Sequence, residues 1–394
     1  MNKDKHIPSG YKSSPLGPIP EDWEVKRLGE ICTHFKSGIT ITSKDIHDDG
    51  LYPVYGGNGL RGYANTYTHD GNYILIGRQG ALCGNVNYIE GKNYISEHAI
   101  AVQTNENMQW LKYKLVNWNL NRFSESSAQP GLSVEKLVRY KLSIPTRFEQ
   151  NKIAEILSLW DTAIEKQTAL IERLTLRKRG LMQQLLTGKK RLEGFSGEWN
   201  EVKLGEIGTF FKGSGVPKDS ITSDGHKCLT YGDLYTKYDY VISNVKSFID
   251  DNTANNSTKI QYGDICFAGS GETKEDIGKC AAFIDDHYGY AGGDIIVFRA
   301  EGFNPTTLSY ILNSDSVIRQ KSNIGQGHSV VHIYPYQLEK ITISIPSIEE
   351  QNAIASVLIN ADKEIELANE KLARLQEEKR GLMQVLLTGK KRVR

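Results

Sequence analysis

The strongest constraint on this chain is that it nearly repeats itself. Lys178–Arg191 reads KRGLMQQLLTGKKR and Lys379–Arg392 reads KRGLMQVLLTGKKR, differing only at Gln184 against Val385. At the same offset of 201, Ile144-Pro145 matches Ile345-Pro346, and Glu149-Gln150-Asn151 matches Glu350-Gln351-Asn352. Ile153-Ala154 likewise matches Ile354-Ala355, and Asp161 matches Asp362. A second match opens each half at an offset of 176: Trp23 with Trp199, Leu28-Gly29-Glu30-Ile31 with Leu204-Gly205-Glu206-Ile207, and Phe35-Lys36 with Phe211-Lys212. The difference between the offsets 201 and 176 gives the second half 25 more residues between its flanks. The middles, 37–140 and 213–340, resist alignment. A repeat of this kind sets the architecture before any local reading: variable block, repeated segment, variable block, repeated segment.

The repeated segments read as long helices. Each opens after a proline on a capping-box pattern, Thr146-x-x-Glu149 and Ser347-x-x-Glu350. There the hydroxyl accepts the N3 amide and the glutamate reaches back to the cap. Apolar residues then recur at alternating steps of four and three, the a/d seam of a heptad. The first seam runs Ile153, Leu157, Trp160, Ile164, Gln167, Ile171, Leu174, and the second Ile354, Leu358, Ala361, Ile365, Ala368, Leu372, Leu375. Polar breaks follow at the matching positions Lys178 and Lys379, and Gly188 and Gly389 supply the C-caps. Each helix spans roughly 40 residues, on the order of 60 Å at 1.5 Å per residue. An apolar stripe of that length needs cover, and the nearest partner for one rod is the other, run antiparallel. Packing of each stripe onto its own domain, or pairing between chains, satisfies the same pattern.

Composition narrows the class without deciding it. A chain of 394 residues suits two domains. Its 39% hydrophobic and 24% charged residues are those of an ordinary globular protein. A net charge of +1 names no partner, so any basic surface must be local. Five cysteines, Cys32, Cys83, Cys228, Cys266 and Cys280, with no CxxC spacing argue against a zinc site or disulfide framework and fit a reducing cytoplasm. The first twenty residues lack the apolar core of a signal peptide, and no run has the length of a membrane span.

The ordered, duplicated set resembles the specificity (S) subunit of type I restriction-modification systems. The paired W…LGE(I) openings at Trp23 and Trp199, the IP…EQN helix starts and the GLMQ-LLTGKKR ends carry the likeness, which covers essentially the whole chain. Tyr52–Tyr63, Ile74–Val86 and Tyr262–Glu272 also look like target-recognition segments. The resemblance implies an α+β fold of two mixed α/β target-recognition domains alternating with two long helices paired as an antiparallel coiled coil. Its expected divisions are an N-terminal extension (1–20), a first recognition domain (21–145), a central helix (146–190), a second recognition domain (191–345) and a distal helix (346–394). It implies a non-catalytic subunit whose domains each read half of a split, asymmetric site on double-stranded DNA. The helices would set the spacer and dock two methyltransferase subunits. S-adenosylmethionine, ATP and magnesium would be held by partner methyltransferase and motor subunits, with no cofactor on this chain.

Base reading needs directional donors and acceptors on loops; Arg suits guanine, and Asn or Gln suits adenine. Glycine-flanked candidates in the first domain are Asn58, Arg61, Arg78 and Gln79, and in the second Lys274, Gln326 and His328. Read singly, each is more simply an ordinary polar turn; it is as a set that they point to base reading. The clusters Arg177-Lys178-Arg179 and Lys189-Lys190-Arg191 suit phosphate, or simply a helix C-terminus.

Two enzyme motifs invite the opposite conclusion. Asp264–Gly271 resembles the glycine-rich loop that cradles S-adenosylmethionine, which would make the chain a self-contained methyltransferase. No PP pair exists for the [DNS]PP[YFW] motif such enzymes need, and no clear amphipathic helix follows the loop. No GxxxxGK[ST] phosphate loop is present, and His47, His69, His98, His287, His328 and His332 make no metal-ligand pattern. Around His332, Val330-Val331 and Tyr334-Pro335 favour strand or loop. A coiled-coil scaffold that touches no nucleic acid is the remaining alternative.

Overall fold

The computed structural model describes residues 7–80, 82–124, 131–327 and 330–393. Two compact units emerge: residues 1–169 with 370–394, and residues 170–369. Both boundaries fall inside the two 39-residue helices, Arg147–Leu185 and Ile348–Leu386. Each unit is therefore built from one variable block, part of one long helix and part of the other.

In the first unit a four-stranded antiparallel sheet orders Cys32–Ser37, Ala99–Thr104, Tyr73–Gly77 and Val86–Ile89. A second sheet orders Gly59–Ala64, Tyr52–Gly56, Lys92–Ile95 and His69–Asp70, with Tyr52–Gly56 and Lys92–Ile95 parallel. The second unit repeats this plan. Gly208–Lys212, Ile295–Ala300, Ile265–Ala268 and Cys280–Phe283 form the first sheet, extended by Val241–Ile242. Ser247–Ile249, His226–Leu229, Gly289–Ala291 and Thr258–Ile260 form the second, again with one parallel pair, His226–Leu229 beside Gly289–Ala291. The unalignable middles thus share one topology. Their strands carry buried β-branched and aromatic side chains, which fix a sheet by shape and not by identity.

Each core draws on both long helices. In the first unit Trp23, Trp110, Ile74, Ile100 and Val102 pack with Ile153, Ala154 and Leu157 of the first helix and Met383, Leu386 and Leu387 from the end of the second. In the second unit Phe267, Phe298 and Tyr310 pack with Leu185 and Leu186 and with Ile354 and Leu358. Within either unit the two helical segments run in opposite directions. Asp161 pairs with Lys379 and Glu149 with Arg392 in the first, Lys178 with Asp362 and Arg191 with Glu350 in the second. Of the seam positions, Ile153, Leu157, Ile354 and Leu358 are fully buried, and Gln167, Ala361 and Ala368 are nearly so. Trp160, Ile164, Ile171, Leu174, Ile365, Leu372 and Leu375 are half-buried. The helix ends lie under the sheet-and-helix cores and the midspans do not.

The expected capping boxes form only by half. Glu149 N–H donates to Thr146 Oγ1 at 3.3 Å and Glu350 N–H to Ser347 Oγ at 3.5 Å. Neither glutamate reaches back to its cap: each carboxylate is engaged by an arginine instead, Arg392 and Arg191 respectively. A charge-assisted, two-pronged bond outweighs a bond to one exposed amide. At the other ends Gly188 and Gly389 adopt left-handed φ of +65° and +75°. Lys190 N–H donates back to Gln184 O and Lys391 N–H to Val385 O, the pattern of a helix closed by glycine. Among the described residues no helix is long and apolar enough to cross a membrane.

Candidate nucleic-acid interface

The repeated triplet Glu-Gln-Asn fixes each variable block to its helices. Gln150 Oε1 accepts from Asn107 N–H (2.9 Å) and Asn151 Oδ1 from Asn107 Nδ2 (2.9 Å), gripping the N-cap of helix Met108–Asn117. Gln351 and Asn352 hold Asn304, the N-cap of helix Pro305–Leu312, in the same way (2.9 and 2.8 Å). The polar breaks in the seam find partners too. Lys379 pairs with Asp161, which also accepts from Tyr113 Oη at 2.5 Å, and Lys178 pairs with Asp362, which accepts from Tyr310. Burial, together with the adjacent carboxylate, raises the pKa of both tyrosines, so they stay neutral donors.

The candidate reading loops lie at one end of the sheets. In the first unit the loops after Ser37, Gly56, Gly77 and Ile95 all emerge at that end, as the register of their strands requires. The backbones approach so closely that side chains are excluded. A Cβ on Gly57 would sit 2.8 Å from His98 O, and one on Gly77 would sit 2.5 Å from Gly57 O. Only glycine permits such contact.

This end gathers all four first-unit candidates. Asn58 tops the hairpin between Tyr52–Gly56 and Gly59–Ala64, Arg61 lies on the returning strand against Gly56, and Arg78 and Gln79 follow Gly77. Asn58, Arg61 and Gln79 are exposed and Arg78 half-buried. In the second unit Gln326 is exposed and its backbone bridges His332, whose strand, Val331–His332, pairs with Ser270-Gly271. Lys274 is exposed on the loop leaving that strand, its carbonyl accepting from Ser322 Oγ at 2.6 Å. His328 lies outside the described residues.

The structure adds residues that spacing alone does not single out. His98 touches Gln79 and Glu97, and His332 touches Ser270. Ser96 Oγ and Glu97 Oε2, in the same turn as His98, are buried without a hydrogen-bond partner among the described residues. Of the basic clusters, Arg177, Lys178 and Arg191 are engaged by Glu364, Asp362 and Glu350. Their paired state removes them as ready phosphate ligands.

The glycine-rich Asp264–Gly271 segment is built on a central strand with antiparallel neighbours on both sides. Strand Ile265–Ala268 runs against Cys280–Phe283 and Ile295–Ala300, and Arg299 holds both Asp264 oxygens at 2.7 Å. A cradle for a nucleotide-like cofactor instead leads from a strand into a crossover helix beside a parallel neighbour. Among the described residues no three His, Cys, Asp or Glu side chains converge as a metal site.

A sequence model of the family described as "Type I restriction modification DNA specificity domain" matches residues 20–176 and 196–377. The chain is 44% identical over 160 residues to the type I restriction enzyme EcoprrI specificity subunit of Escherichia coli, a match over 39% of this chain and 40% of that subunit's length. It is 26% identical over 413 residues to the MjaVIII specificity subunit of Methanocaldococcus jannaschii, covering 95% of this chain and 94% of the relative. In fold it is similar to the type I restriction-modification S subunit of M. genitalium, with a TM-score of 0.61 at 16% identity over 93% of this chain and 96% of that one.

Proposed function

Since the chain belongs to the type I restriction-modification DNA specificity family, we propose that it is the sequence-reading subunit of such an enzyme and that its two units read two different half-sites. It binds DNA and leaves the chemistry to partner subunits. The observation that carries this reading is a contrast. The Gln-Asn grip that fixes each variable block to its helices repeats residue for residue: Gln150-Asn151 on Asn107 in one unit, Gln351-Asn352 on Asn304 in the other. The loop ends differ completely, with Asn58, Arg61, Arg78 and Gln79 against Lys274, Gln326 and His332. Identical mounts with unlike tips suit a bipartite site whose halves are unrelated.

The long helices act as the ruler, paired antiparallel as a coiled coil; the opposed ion pairs within each unit support this. Stiff helices can hold a spacing that flexible linkers would blur. Their outward faces carry uncovered apolar side chains, among them Leu159 (64% exposed), Leu176 (68%) and Leu367 (55%). Such residues suit docking of two methyltransferase subunits, which would bring S-adenosylmethionine, with ATP and magnesium entering on motor subunits.

The test is to express the chain with its methyltransferase and map the methylated adenines. We expect an asymmetric split site. Exchanging residues 21–145 for another such domain should change one half-site and keep the other; a change in both halves would refute the assignment. Methyl transfer by the purified chain alone would establish the competing enzyme reading.

A further inference from the structure

Both units repeat one backbone rung at the loop end. In the first, Arg78 N–H donates to His98 O (2.9 Å), Leu132 N–H donates to Arg78 O (2.9 Å), and Gln79 bridges Gly131. In the second, Gly269 N–H donates to Asp294 O (2.8 Å), Ile333 N–H donates to Gly269 O (3.0 Å), and Ser270 pairs with His332. Gln79 and Ser270 therefore occupy equivalent positions, and so do Gly131 and His332.

On this rung each unit presents one exposed polar group held by a neighbour. In the first unit the exposed group is Gln79, whose Oε1 lies 3.2 Å from His98 Nδ1, while His98 Nε2 lies 3.2 Å from Glu97 Oε1. In the second it is His332, whose Nδ1 lies 3.0 Å from the Oγ of Ser270, a buried residue. Beneath the first rung Ser96, fully buried, has no hydrogen-bond partner for its hydroxyl among the described residues. Two sequences that resist alignment thus each place a held polar group on this rung, Gln79 from one side of it and His332 from the other. A freely rotating side chain loses entropy on binding and discriminates poorly; a held one does neither.

We propose that this rung is the base-reading position of both readers, an inference that rests on the chain being a DNA reader. Gln79 reads a base edge of the first half-site, with His98 as its positioning residue. His332 reads one of the second, with Ser270 as its positioning residue. An amide places a donor beside an acceptor and matches N7 and the N6 amine of adenine. With the Ser270 hydroxyl donating to Nδ1, the His332 ring carries its proton on Nε2. That proton is a donor for the N7 or O6 acceptor of guanine or the N7 of adenine. Different chemistry on one rung makes the half-sites unlike.

The experiment uses the full chain assembled with its methyltransferase subunits. The probes are duplexes carrying the mapped site and all its single-base changes. Gln79→Ala should cut the preference for the matched duplex by about tenfold at one base pair of the first half-site, as expected for losing one good base contact. His98→Ala should relax the same base pair, and His98→Asn, which keeps a donor near the Nδ1 position, should restore most of the preference. A merely structural histidine would not show that rescue at unchanged melting temperature. His332→Ala and Ser270→Ala should act together on one base pair of the other half-site. Should the wild-type assembly select its site while Gln79→Ala and His332→Ala select it equally well, the rung is not the reader and the proposal falls alone. It falls in the same way if either variant alters both half-sites. A wild-type assembly with no sequence preference at all would overturn the reader assignment itself, and this inference with it.

Discussion

Arg392 grips Glu149 with two hydrogen bonds, Nε to Oε1 at 2.6 Å and Nη2 to Oε2 at 2.9 Å, joining residues 243 positions apart. Glu149 is 2% exposed and also accepts from Trp23 Nε1 at 2.7 Å. Arg392 and Trp23 thereby meet on one carboxylate. Arg392→Ala would leave a buried carboxylate with only the indole. The loss should be about 2 kcal/mol, below the 3–5 typical of a fully buried pair because Arg392 keeps some solvent contact. Hydrogen exchange resolves it: protection should fall in residues 7–169 before it falls in 170–369. Equal loss in both units would contradict the placement.

The seam breaks Lys379 and Lys178 answer Asp161 and Asp362. Reversing one charge, Lys379→Asp, puts two carboxylates together beneath Tyr113, at an expected cost of about 2 kcal/mol. Adding Asp161→Lys should recover more than half of that loss in urea unfolding. A double variant no better than the sum of its singles would show that the two side chains do not meet.

Lys114 is buried with neutral partners, its Nζ donating to Leu387 O at 2.6 Å and Ser143 Oγ at 3.1 Å. Burial pushes its pKa down to about 8, from 10.5. Between those values the unfolded chain binds the proton and the folded chain does not, so stability rises with pH across that window and is flat below it. The full rise is about 3 kcal/mol. Lys114→Met should flatten the curve of melting temperature between pH 8 and 10.5 relative to wild type. An unchanged slope in the variant would rule Lys114 out as its source.

Gly389 and Gly188 share a left-handed backbone but not their surroundings. A Cβ at Gly389 meets Pro20 at 2.7 Å, whereas one at Gly188 meets Trp199 at an ordinary 3.5 Å. Both alanine variants lose about 1 kcal/mol to backbone strain. Gly389→Ala should lose at least another kcal/mol to the clash. Matching unfolding midpoints for the two variants would be the contrary result.

The clustering of the first-unit candidates is partly legible in the sequence. Asn58, Arg61, Arg78 and Gln79 are legible because glycine-flanked polar residues mark tight loop ends, and the strand register brings all four to one end of the sheets. His98 and Ser270 are not. Their significance is a contact with a side chain on another loop, and no periodicity records that.

The sequence by itself determined the repeat, the two long helices with their glycine stops, and the family. Each depends on local chemistry or on self-similarity, which a linear string preserves. The tertiary structure alone decided that the glutamates of the apparent capping boxes serve arginines just beyond the end of the opposite helix, and that the hard-to-align middles share one strand order. It also decided that Lys114 is buried where the corresponding residue of the second unit is Ile311. Those outcomes depend on which groups meet across roughly 40 to 270 positions of chain. Competition among partners in space settles such meetings, and residue order does not encode it legibly.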